Sequence, residues 1–242
     1  MLDQLFQNLI QDMEGITRFE DGSSVLQAAA EQYGVKHVAY LGINIPRIER
    51  PTPFYSATYS PSWCHHYQHS NYVDVDPVVR LGMTGLLPID WGTFDLTVPK
   101  RRQIFGEAKE FGLGRQGLTF PIRGRGTETA IFSINTDLPD KEWAAYKRAC
   151  MSDFQMLAHY FHATVIRVEG GVLPDYEARL ARREKECLQW AAAGKTAWET
   201  SMILNISEAT VRVYLDSARH KLDSITKVQA VAKAIALGII KI

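Results

Sequence analysis

The sequence predicts an α+β protein, with an N-terminal α-β-α sandwich built on an antiparallel sheet and a small all-α helix-turn-helix unit behind it. Three observations lead there. Helical and strand-like apolar periodicities alternate over residues 1–168, then Gly170, Gly171 and Pro174 interrupt them, and short runs with capping signals follow. The expected division is a first domain at 1–168, a linker at 169–176 and a second domain at 177–242.

In chain order, Leu2, Leu5, Phe6, Leu9, Ile10 and Met13 recur at helical spacing, and Val25 to Tyr33 forms a second helix stopped by Gly34. Val35 to Ile43 is β-branched and aromatic and is bounded by Pro46, which suits a strand. From Pro46 to Thr97, the prolines Pro51, Pro53, Pro61, Pro77 and Pro88 predict mostly loop with short helices. Arg101 to Phe111 is helical, with Gly112 and Gly114 as its stop. Strands at Gly117–Ile122 and Thr129–Asn135 flank a Gly124-Arg125-Gly126 turn. Asp140 to Val168 carries one long amphipathic helix, with His159 and His162 expected on its polar flank.

Composition narrows the function classes. Of 242 residues, 46% are apolar and 22% charged, the profile of an ordinary globular chain, which excludes disordered, collagen-like and coiled-coil classes. No stretch approaches the roughly 18 apolar residues of a membrane span, and the start lacks the basic flank and apolar run of a signal peptide. A cytoplasmic protein without a membrane partner is expected. Cys64, Cys150 and Cys187 are odd in number and far apart, which indicates reduced thiols rather than disulfides or a zinc ribbon. The 27 basic and 27 acidic residues cancel overall, yet residues 1–173 hold 16 against 19 and residues 174–242 hold 11 against 8. A balance of −3 is thus followed by one of +3, and only the second part suits a nucleic-acid partner.

Between Tyr40 and Phe94, 55 residues contain nine aromatics, whereas the other 187 contain 16. Tyr and Trp in a Pro-rich region can wall a small-molecule pocket or fill an aromatic core beneath a long loop. Trp63 and Tyr67 share a helical face, and Asp76-Pro77 has the form of an N-cap with Pro at the first turn. Cys64, His65, His66 and His69 are crowded and lack a patterned partner elsewhere, so no metal site is expected. No nucleophile elbow, phosphate-binding glycine loop or His-Glu-x-x-His motif is present, so neither an enzyme nor a cofactor is expected.

Leu180 to Ala193 is a helical run ending at Gly194, Thr196-Ala197-Trp198-Glu199 is a capping box, and Asn205-Ile206-Ser207 turns into a third helix capped by Ser207. This is the helix-turn-helix arrangement that places a reading helix in the major groove. Winding the third helix at about 100° per residue buries Val211, Leu215, Ala218 and Leu222. The opposite face presents Ala209, Val213, Asp216 and His220, flanked by Thr210, Arg212 and Arg219. Arg212 suits a guanine edge or a phosphate, and Thr210, Arg219 and Lys221 suit phosphates. A fourth helix, Lys227 to Leu237, can pair with its copy, because one small domain makes few phosphate contacts.

Arg183-Glu184, Leu188, Gly194-Lys195-Thr196, Glu199, Ile206-Ser207, Thr210-Val211, Leu215 and Lys221-Leu222 resemble the LuxR-type helix-turn-helix over about 45 residues. The N-terminal part resembles the autoinducer-binding domain of LuxR-type quorum-sensing regulators through Trp63, Tyr67, Asp76-Pro77, Trp91 and Gly117. The resemblance implies a transcription factor that binds an N-acyl-homoserine lactone and, as a homodimer, a two-fold site on double-stranded promoter DNA, with RNA polymerase as a further partner. It implies that Trp63 donates to the lactone carbonyl, Asp76 accepts from the acyl amide, and Tyr59 and Ser133 offer hydroxyls to the amide carbonyl. Tyr67 and Trp91 then wall the ligand. DNA contacts are implied at Thr196, Ser207, Thr210, Arg212, Val213, Asp216, Arg219 and Lys221. Tyr214 and Asp216 depart from the family's usual residues. The aromatic density favours a snug pocket and a short, branched or aryl acyl group. An orphan regulator sensing a different small molecule is the alternative, against which the Trp63 and Asp76 pair argues.

Overall fold

The computed structural model describes residues 2–45, 53–124, 128–169 and 179–241. Among these residues the chain divides into two compact units. The expected linker at 169–176 lies, Glu169 apart, outside the described residues, as do Arg125 and Gly126 of the expected turn.

The first unit begins with α1 (Leu2–Gly15) and α2 (Gly22–Tyr33), followed by β1 (His37–Ile43) and β2 (Phe54–Ala57). Then come α3 (Pro61–His69), α4 (Pro77–Gly82), β3 (Ile89–Asp90) and α5 (Pro99–Glu110). The central strands β4 (Gln116–Arg123) and β5 (Thr129–Thr136) precede α6 (Asp140–Glu169). The strands form one sheet in the order β2-β1-β5-β4-β3, antiparallel throughout.

Strand alternation divides the work of the sheet. Val38, Tyr40, Leu118, Phe120, Ile122, Ala130, Phe132 and Ile134 turn to one face, where they join residues of α1, α2 and α6 in the main core. Thr119, Ile131, Ser133 and Asn135 turn to the other, which α3, α4 and α5 cover. This is the expected sandwich. Two details differ from expectation. The Pro-rich region contributes β2 and β3, outer strands of four and two residues, too short for a period-two pattern to register. His162 is not on a polar flank: it is buried, and its Nδ1 lies 2.8 Å from the Tyr40 hydroxyl.

The second unit contains α7 (Arg182–Ala192), α8 (Ala197–Leu204), α9 (Glu208–Lys221) and α10 (Lys227–Ala236). Gly194 takes φ 80° between α7 and α8, a left-handed conformation open to glycine at little cost. Thr196 and Glu199 form the predicted reciprocal cap of α8, and Asn205 closes it at φ 52°. Ser207 Oγ accepts from the Thr210 N–H to cap α9. Val211, Leu215, Ala218 and Leu222 form its buried stripe, as the periodicity predicts. No helix among the described residues is long and apolar enough to cross a membrane.

Candidate functional site

Between the polar face of the sheet and α3, α4 and α5 lies a cavity of about 780 Å³. Its wall brings together all six residues singled out from sequence: Tyr59, Trp63, Tyr67, Asp76, Trp91 and Ser133.

Helix α3 supplies Trp63 and Tyr67. Ser60 caps it, accepting from the Trp63 N–H at 3.3 Å, with Pro61 in the first turn. Trp63 is 3% exposed, and its rings sit 5.7 Å from Tyr67 and 5.5 Å from Phe111. Its indole N–H has no protein partner among the described residues. The helix is tied to α5, because Glu107 Oε2 accepts from Tyr72 at 2.5 Å and lies 2.6 Å from His66 Nε2. Tyr72, His66 and Gln103 together hold the Glu107 carboxyl down to about 2. His66 thus belongs to a structural pair.

Asp76 has two roles. Its Oδ1 accepts from the Val78 N–H at 2.8 Å and caps α4, while Oδ2 accepts from the Tyr67 hydroxyl at 2.8 Å. It is 8% exposed, and burial pushes its pKa up to about 6 against those two hydrogen bonds. A buried carboxylate without an ion-pair partner among the described residues favours a ligand that brings a hydrogen-bond donor. Tyr59 is half-buried, and burial followed by the Asp76 charge pushes its phenol up, the Asn135 amide acting the other way.

Trp91 follows β3 in a short helical turn, Trp91–Thr93, capped by Asp90. Asp90 is also ion-paired with Lys147 of α6, which anchors the segment. A Cβ on Gly117 would stand 2.3 Å from the Trp91 ring, so the glycine makes room for the indole. Trp91 Nε1 donates to Thr119 Oγ1 at 2.9 Å, and Thr119 Oγ1 lies 2.9 Å from Ser133 Oγ. The sequence reading missed Thr119. Strand alternation could have found it, since Thr119 stands between Leu118 and Phe120 and faces away from both. Also missed was the pair of Tyr55 and Cys64, both in the cavity wall with Tyr55 Oη 3.6 Å from Cys64 Sγ. Cys64 is partly exposed, whereas Cys150 and Cys187 are buried, with burial pushing both thiols up.

In the second unit the residues nominated for DNA occupy three situations. Val213 is 64% exposed, and Arg212 and Asp216 are exposed beside it on α9. Arg212 Nη2 rests on Glu208 Oε1 at 2.5 Å, and Asp216 accepts from Arg219 at 2.7 Å with His220 Nε2 3.6 Å away. Arg219 holds the Asp216 carboxyl below its ordinary range and also donates to the Ser224 carbonyl at 3.1 Å. Thr196, Ser207 and Thr210 gather at the N-termini of α8 and α9, where backbone N–H groups favour anions. Lys221 is engaged differently, its Nζ 2.8 and 2.9 Å from the two oxygens of buried Glu184.

The autoinducer binding domain family matches residues 19–165, and the luxR family of bacterial regulatory proteins matches residues 178–234. The chain is 38% identical to the transcriptional activator protein RaiR of Rhizobium etli over 170 residues, which is 70% of each chain. It is 31% identical to the transcriptional activator protein VanR of Vibrio anguillarum over 236 residues, 96% of each. Its fold is similar to that of Escherichia coli SdiA, with a TM-score of 0.69 at 21% identity, covering 99% of both chains. The chain belongs to the LuxR family of transcriptional regulators, a family of regulators rather than enzymes, and joins an autoinducer-binding domain to a DNA-binding helix-turn-helix.

Proposed function

We propose that the chain is a quorum-sensing transcription factor that binds an N-acyl-homoserine lactone and, as a homodimer, a two-fold promoter site. The observation that carries the ligand is the pairing in one cavity wall of an unpartnered buried donor, the Trp63 indole, with a buried acceptor, Asp76. An acyl-homoserine lactone presents the complementary set: a ring carbonyl for Trp63, an amide N–H for Asp76, and an amide carbonyl for the Tyr59 and Ser133 hydroxyls. Tyr67 and Trp91 contribute ring faces, while their own polar atoms are occupied by Asp76 and Thr119. At about 780 Å³ the cavity lies high in the range for small-molecule sites. It has room for more than the short acyl group that the aromatic density favours, because the aromatics stand along the walls.

On DNA, Arg212 exchanges Glu208 for a guanine edge or a phosphate, Val213 meets a thymine methyl, and Asp216 accepts from a cytosine amino group. Thr196, Ser207 and Thr210 hold phosphates at the helix N-termini. Arg219 and Lys221 brace α9 and add positive field at its last turn. The names of RaiR and VanR support activation of transcription, and hence an encounter with RNA polymerase. The test is the melting temperature of the purified protein with N-acyl-homoserine lactones from butanoyl to dodecanoyl and one aryl member. At least one should raise it by several degrees at saturation, and a flat response across the panel would reject the lactone.

A further inference from the structure

Three side chains in and behind the cavity wall form a hydrogen-bonded line. Thr119 and Ser133 are direct cross-strand partners on β4 and β5. Thr119 is 0% exposed and does not line the cavity, whereas Ser133 is 4% exposed and does. Trp91 Nε1 lies 2.9 Å from Thr119 Oγ1 on one side, and Ser133 Oγ lies 2.9 Å from it on the other. An indole nitrogen can only donate, so Thr119 Oγ1 accepts from Trp91. That leaves Thr119 with one proton, for which Ser133 Oγ is the acceptor that the described residues provide. Reversing the second bond would strand the Thr119 proton in a fully buried place, a costly arrangement. The line therefore runs from Trp91 through Thr119 to Ser133. Ser133's own proton then has no acceptor among the described residues, and its side chain is in the cavity wall.

We propose that Thr119 is a positioning residue for ligand recognition: by accepting from Trp91 and donating to Ser133 it leaves the Ser133 proton to a ligand carbonyl. The inference rests on the lactone reading and adds a direction to it. A hydroxyl free to rotate would serve a donor or an acceptor on the ligand, but one that already accepts from Thr119 and whose own proton has no acceptor among the described residues favours a ligand acceptor. The preference extends to acceptor strength, so an amide oxygen is favoured over the weaker sulfur of a thioamide. Thr119 acts without touching the ligand, through the proton that it donates to a Ser133 lone pair.

The experiment compares the acyl lactone that wild-type protein binds most tightly in the panel with its thioamide analogue, which keeps the shape and the N–H. Affinities of both are measured for wild type, Thr119→Val, Thr119→Ser and Ser133→Ala. Wild type should prefer the amide. Thr119→Val and Ser133→Ala should each weaken amide binding about tenfold, the scale of one hydrogen bond, and reduce the amide-to-thioamide ratio. Thr119→Ser should restore both. A general loss of packing would weaken both ligands alike and leave the ratio unchanged, and that result in Thr119→Val would overturn the relay. If Thr119→Val does not fold, Thr119→Ala removes the same hydroxyl. With nothing donating to Ser133 the ratio should fall; an unchanged ratio overturns the proposal. Wild-type protein that binds no lactone would instead overturn the ligand reading and take the relay with it.

Discussion

Asp76 works against the stability of the empty protein. Its folded pKa of about 6 stands above the ordinary 3.8, so between those values the folded chain holds a proton that the unfolded chain has lost. The stability contributed by this group is full below about pH 4 and is lost as the pH rises through 6, a difference on the order of 3 kcal/mol. His162 slopes the other way. Burial lowers its pKa from 6.5 to about 4, so its contribution is full above 6.5 and is lost as the pH falls towards 4. Comparing wild type with Asp76→Asn cancels His162, which both proteins carry. Without ligand, the Asn variant should match or exceed wild type in its urea midpoint at pH 7, and its advantage should shrink as the pH falls to 4. Its melting response to a lactone should be weaker. Parallel midpoint curves for the two proteins would show that the carboxyl is not perturbed by its burial.

At the scale of elements, α9 is set against α7 by one carboxylate. Glu184 Oε1 accepts from Ser217 at 2.6 Å and Lys221 at 2.8 Å, and Oε2 accepts from the Ala181 N–H at 2.8 Å. Burial acts to raise the Glu184 carboxyl, but Lys221, Ser217 and Ala181 outweigh it and hold it below its ordinary range. Glu184→Ala should cost the second unit about 1–3 kcal/mol, because it leaves a helix N-terminus and a half-buried ammonium without their acceptor. DNA affinity should fall with it while the lactone response stays, which melting curves and a gel-shift titration would separate. The elements that carry these contacts were legible where long periodic runs met a chemical stop signal: α7 to α10, the central strands and α6 follow from caps, glycines and spacing. The outer strands β2 and β3 were not, since four and two residues carry no period and earn their place by pairing with β1 and β4. The cavity wall was legible for residues that resemble a known pattern. Thr119 was hidden in an apolar strand, and His162 was misplaced because its buried partner, Tyr40, comes from the sheet and is distant in sequence.

For the whole molecule, a first part of −3 and a second of +3 leave affinity for DNA to a few cations and, in the proposed homodimer, to the pairing of two copies. Arg212 is exposed, and its ion-pair partner among the described residues is Glu208 at the surface, so in the proposed reading face it can be released to DNA at little cost. Arg212→Ala should weaken binding to a promoter site by at least tenfold and lower the magnitude of the salt slope by about one, with the lactone melting response unchanged. Normal affinity in that variant would move the reading face elsewhere on α9.

The chain also carries a gauge of its own occupancy. Cys64 stands in the cavity wall and is partly exposed, whereas the other two thiols are buried and raised. In native protein a maleimide should therefore label one site, identified by peptide mass as Cys64. A molecule that fills the cavity should slow that labelling without altering the protection of Cys150 and Cys187. The rate of a single thiol reaction then reports filling directly, with no need for DNA, transcription or a labelled ligand, and a rate indifferent to a compound that raises the melting temperature would place that compound outside the cavity.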